Sequence, residues 1–167
     1  MSGCRRNHGL LFTAALVFLT PALPSRANQA TPGEGQVLLD ASVVVEGGSA
    51  AGTYKASGVG SCRHIAKPQP IEWTVSYGSG EGSGLRSVQL TVAGLSSGAS
   101  DQLVLTVIAG KGAAMIATMK GATQAGKGHV TVTTSAKGGV HFSAMGVSED
   151  AATVHVEIEC HGSTAQR

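Results

Sequence analysis

The chain has 167 residues, with 12 Lys and Arg against 10 Asp and Glu, a formal net charge of +2. Charged residues make up 13% of it and aromatic residues 4%, and no Lys/Arg cluster stands beside aromatic positions, so composition excludes a nucleic-acid-binding surface. Hydrophobic residues reach 42%, enough for a buried core, and the length fits one domain.

The first stretch runs M-S-G-C-R-R-N-H, then G-L-L-F-T-A-A-L-V-F-L-T over residues 9–20, then P-A-L-P-S-R-A before Asn28. A basic start, an apolar run of about a dozen residues and small residues at Ser25 and Ala27 read as a secretory signal, residues 1–27, removed on export. The run is too short to cross a bilayer comfortably, which takes about 20 residues. Cleavage removes Arg5, Arg6 and Arg26 and brings the mature net charge to about −1, so the precursor's positive charge carries no functional meaning. The reading places the protein in the periplasm or outside a bacterial cell, with no transmembrane segment after cleavage. Cys4 precedes the apolar run rather than following it, which excludes a lipid anchor at that cysteine.

Residues 28–35 read as a flexible leader, and a single domain is expected over 36–162. The span 36–46 alternates as a strand, with a kink expected near Asp40. After a Gly-rich turn, residues 53–64 form a second strand with Tyr54, Ala56, Gly58, Gly60 and Cys62 on its inner face. Lys67 to Pro70 breaks the ladder, because proline cannot donate to it. Residues 71–77 then place Ile71, Trp73, Val75 and Tyr77 on one face, and Trp73, the sole tryptophan, is expected to anchor the core. A Gly/Ser loop leads to a strand over 85–95. Residues 101–109 are nearly all apolar, and their β-branched content favours a buried strand over a helix. A weaker strand covers 113–120, and Met115, Met119 and Met145 are read as core methionines rather than copper ligands.

Residues 129–136 and 140–146 flank Lys137-Gly138-Gly139, the mark of a hairpin with a three-residue loop. That loop faces Val132 with Ala144 and Thr134 with Phe142, and turns Phe142 inward. The last strand, T-V-H-V-E-I-E-C-H over 153–161, alternates without a break, and residues 163–167 form a disordered tail. No stretch has helical periodicity. About eight or nine short strands with Gly/Ser turns predict an all-β fold, an antiparallel β-sandwich (Ig-like), with a barrel as the second choice.

Once the signal is gone, two cysteines remain, Cys62 and Cys160. In an exported chain they are expected to form one internal disulfide, against a free thiol pair or an intermolecular bridge. The stretches G-V-G-S-C over 58–62, K-G-G-V-H-F-S-A-M-G over 137–146 and V-H-V-E-I-E-C over 154–160 together resemble the small mycobacterial lipoprotein antigens. The resemblance covers residues 58–162 as a pattern of strands, turns and cysteines. It implies a sandwich with one disulfide and no catalytic residue, and it departs in lacking the lipidated cysteine.

The densest group of potential ligands is the polar face of the last hairpin. With Val156 opposite Phe142, His141 would lie opposite Glu157, and His155 one position along. Directly opposed residues have Cβ atoms about 4.5–5.5 Å apart, a spacing at which two imidazoles and a carboxylate can hold Zn²⁺ or Cu²⁺. Glu159, His161 or His129 would supply a fourth ligand. The competing reading is a solvated face of cross-strand His–Glu pairs.

Other motifs carry less. Gly94-Leu95-Ser96-Ser97-Gly98 fits G-x-S-x-G, but a strand rather than a helix is expected after it, unlike a nucleophile elbow. Cys160-His161 has no nearby methionine for a blue-copper site. Glu149 and Asp150 fall in a turn as solvated carboxylates, and His64 joins Arg63 and Lys67 at a polar strand end. The sequence therefore reads as an exported, non-enzymatic β-sandwich, without a cofactor, that binds an unknown protein, envelope component or small ligand. The alternative is a periplasmic Zn/Cu-binding protein using His141, His155 and Glu157.

Overall fold

A computed structural model describes Gly33, residues 35–66, 70–79, 84–136 and 138–162, and the backbone of 164–166. The stretch read as a signal sequence, and most of the stretch read as a leader, lie outside the described residues. Every described regular element is a strand, and among the described residues no helix is long and apolar enough to cross a membrane.

The strands in chain order are β1 Val37–Glu46, β2 Gly52–Ile65, β3 Ile71–Gly78, β4 Leu85–Ala93, β5 Ala99–Ser100 and β6 Gln102–Ala109. They continue as β7 Gly112–Ala117, β8 Lys127–Thr134, β9 Val140–Val147, β10 Thr153–Cys160 and β11 Thr164–Gln166. Strands β1, β6 and β10 alternate buried and more open positions, as period-two patterning requires, whereas β2, the longest, buries only Cys62. Expected and observed boundaries differ by a few residues at most. The kink expected near Asp40 is absent, since β1 keeps an unbroken register with β2 from Val37 to Val45.

The two-sheet Ig-like sandwich is replaced by one continuous sheet. Its strands run in the order β5-β8-β9-β10-β1-β2-β3-β4-β6-β7, and all these neighbours are antiparallel. The decisive join is β10 to β1, last long strand to first, from Leu39 opposite Cys160 to Glu46 opposite Thr153. Alternation could not reveal it, because a strand buries one face whether it belongs to one curled sheet or to two stacked ones.

The sheet curls so that its inner faces meet. Trp73 on β3 and Phe142 on β9 stand four strands apart, about 19 Å if the sheet were flat. Their ring centroids are 5.5 Å apart, edge to face. Cys62 on β2 and Cys160 on β10 form the expected disulfide across β1, with Cα atoms 6.4 Å apart, less than two strand spacings of about 4.8 Å each. At the far side Gly128 and Gly146 oppose each other. A Cβ at either would come within 2.8 Å of Ile116, so this glycine pair forms the socket in which β7 rests against β8 and β9.

The enclosed core is built from Leu39, Val43, Val88, Leu90, Leu103, Leu105, Val107, Phe142, Val156 and Ile158, among others. Trp73 anchors it as expected. The methionines do not: Met115 and Met145 are exposed and Met119 half-buried, because they fall on outward positions of β7 and β9 or beyond a strand end. Thr164–Gln166, in the stretch read as a disordered tail, pairs parallel with Arg63–Ile65 of β2.

Candidate functional site

The C-terminal hairpins keep their expected faces and shift their partners. Val132 faces Phe142 and Val130 faces Ala144. Ser135 N–H donates to Gly139 C=O at 2.8 Å, so Ser135 and Gly139 close the hairpin rather than Ala136 and Val140, and Lys137 lies outside the described residues. Between β9 and β10, Ile158 rather than Val156 lies opposite Phe142, and Glu159 rather than Glu157 lies opposite His141. Each slip moves the pairing by two residues, and an even shift leaves every side chain on its own face. Phe142 stays inward and His141 outward.

On the outer face the shifted register builds a linked chain of polar groups. His141 Nδ1 lies 3.1 Å from Glu159 Oε2, and its Nε2 lies 2.8 Å from Glu157 Oε2. Glu157 Oε1 accepts a hydrogen bond from Ser143 Oγ at 2.8 Å and stands 2.7 Å from His155 Nε2. The structure thus unites His141, His155, Glu157 and Glu159. His161 and His129 stand apart from them: His161 Nε2 pairs with Asp40 Oδ2 at 2.7 Å, and His129 Nδ1 with Asp101 Oδ1 at 2.6 Å.

Among the described residues, no group of three or more His, Cys, Asp or Glu side chains is arranged to hold a metal ion. The geometry gives the reason. Glu157 stands between the two imidazoles with a different oxygen toward each, and a convex sheet face does not fold further donors over a common point.

Strand β1 adds residues that the sequence did not single out. Asp40 and Ser42 lie opposite Glu159 and Glu157 on one side, and opposite Ser57 and Lys55 on the other. Because Ser42 is small, a trough runs over β1 between taller walls. It is an open depression of about 260 Å³ lined by Asp40, Ser42, Lys55, Ser57, His141, Glu157 and Glu159. Asp40 is held below the ordinary aspartate range, first by the hydrogen bond that Ser57 Oγ donates to it and then by His161. No local pattern marks these residues: Asp40 and His161 are 121 positions apart and meet only through the β1–β10 join.

The remaining motifs are structural. Ser96 and Ala99 exchange two backbone hydrogen bonds around Ser97-Gly98, and the short strand β5 follows, so G-x-S-x-G here is a hairpin turn. His64 leans on Trp73, ring centroids 4.8 Å apart. No known protein family, curated protein or solved structure matches this chain.

Proposed function

We propose that this chain is an exported, non-enzymatic binding protein of the bacterial periplasm or cell envelope, and that its contact surface is the trough over Ser42. The observation that carries the reading is the polar network from His155 through Glu157 and His141 to Glu159, with Asp40, Ser57 and Lys55 across the trough. Polar groups fixed in position on a curled, disulfide-closed sheet lose little freedom on meeting a partner, which favours affinity. The export signal and the disulfide between Cys62 and Cys160 both suit a compartment outside the cytoplasm. The inner face is filled by apolar side chains, which directs recognition to the outside.

A photo-crosslinking residue placed at Ser42 is expected to give a discrete adduct in intact cells, and the same residue at Gln89, on the outer side of β4, to give none. Equal labelling at both positions would remove this face from consideration. A second reading, a Zn²⁺ or Cu²⁺ site, rests on the register bringing His141, His155, Glu157 and Glu159 together on one face, and it requires their side chains to turn toward a common point. Calorimetric titration decides it: one-to-one, sub-micromolar binding lost in His141→Ala/His155→Ala supports metal handling, and weak binding or binding retained by that variant excludes it.

A further inference from the structure

The sheet ends at β7, and among the described residues part of that strand's outer edge has no pairing partner. Thr118 N–H donates to Leu103 C=O at 2.8 Å, which sets the phase of the β6–β7 ladder. Stepping back along the register, Ile116, Ala114 and Gly112 turn their backbone groups toward Leu105, Val107 and Ala109. Ala117, Met115 and Ala113 turn theirs the other way. Ala125 takes both groups of Ala117, at 2.7 and 2.9 Å. Among the described residues no strand pairs with Ala113 or Met115 on that side.

The side chains leave this edge open. Ala113 and Met115 are exposed, and with Glu149 and Asp150 they line a depression of about 300 Å³. Met115 is 46% exposed and is one of three exposed large apolar residues, with Met145 and Val147, among the described residues. The strand itself, G-A-A-M-I-A, has no charge, proline or bulge, the devices that usually keep sheet edges from pairing.

We infer that two copies of this chain pair β7 to β7, antiparallel, about a two-fold axis through Ala114. Ala113 of one copy then lies opposite Met115 of the other. Each N–H of these residues meets a C=O across the axis, and all the outward groups of both residues in both copies are used at once. A two-fold contact requires this self-complementarity, and the phase of the β6–β7 ladder supplies it.

Sedimentation velocity on the purified, disulfide-bonded protein tests the pairing. The expected result is a species of twice the chain mass that dissociates on dilution, with hydrogen exchange at the Ala113 and Met115 amides slowing as concentration rises. Met115→Lys sets like charges along the paired edges at an exposed position and is expected to restore the monomer with an unchanged circular dichroism spectrum. Ala113→Pro removes an outward donor that the β6 ladder does not use, and is expected to do the same. If Ala113→Pro fails to fold, Met115→Lys decides. A monomer up to the solubility limit, or a dimer that Met115→Lys leaves intact, overturns the inference.

Discussion

The disulfide closes a chain loop that runs from β2 to β10, and its removal has a calculable cost. Cys62 and Cys160 are separated by 98 positions. In the chain-entropy model, cross-linking a loop of that length removes about 16 cal/mol/K from the unfolded chain, or about 4.7 kcal/mol at 25 °C. Both cysteines are fully buried, so replacing them with alanine also leaves a small void on the inner face. The double variant Cys62→Ala/Cys160→Ala is therefore expected to lose about 4–5 kcal/mol, and its melting temperature to fall by roughly 15 °C for a domain of this size. Urea unfolding followed by circular dichroism, on oxidised parent and variant, measures the difference directly. The parent unfolded in reductant should match the variant, because the cross-link and not the cysteine side chains carries most of the effect. A loss under about 1.5 kcal/mol, or a reduced parent as stable as the oxidised one, would refute the reasoning, since either result would mean that the unfolded chain gains little freedom when the tie is cut.

Three further perturbations test other parts of the structure. Phe142 is fully buried edge-on to Trp73, so Phe142→Ala is expected to cost about 3–5 kcal/mol and to red-shift the emission of the single tryptophan; unfolding curves and fluorescence check both. A Cβ at Gly146 would stand 2.2 Å from Lys127 O, while one at Gly78 meets nothing within 4 Å. Gly146→Ala should therefore destabilise by roughly 1–3 kcal/mol and Gly78→Ala by no more than about 0.5 kcal/mol, and equal effects would count against the socket between β7 and β9. The folded-state pKa of Asp40 is lowered by Ser57 and His161, so its contribution is fully present above the ordinary aspartate pKa and is lost as pH falls through the folded value. Because its side chain is half exposed, Asp40→Asn should cost no more than about 1 kcal/mol at neutral pH, with the difference vanishing in acid in a stability-versus-pH series.

What the sequence could show divides along a physical line. Strand existence and inward faces were legible, because alternation is local: Trp73 inward, Phe142 inward and His141 outward all follow from parity. Register within the last two hairpins was legible only to within an even step, since a shift of two residues moves no side chain to the other face and so changes no pattern. That step is why Glu159, rather than Glu157, stands opposite His141. The single curled sheet was not legible, because it depends on which strands pair at a distance. The β10–β1 join leaves no mark on either strand, as Val43 beside Val156 would be buried in a sandwich as readily as here.

The same join explains why the polar trough is where it is. Any curled sheet shows the solvent a convex outer face, on which neighbouring side chains splay apart and shallow troughs form only over small residues. Strand β1 presents Ser42 at such a point, flanked by Lys55 of β2 and Glu157 of β10. Had β10 packed in a second sheet, Glu157 and Glu159 would face away from Asp40 and Ser57, and the trough would have one wall. If the trough is the contact surface proposed above, recognition there depends on the join between the first and last long strands, beside which Cys62 and Cys160 are linked. It follows that reduction should weaken partner contact at Ser42 together with stability, whereas Asp40→Asn should change contact with little effect on the fold.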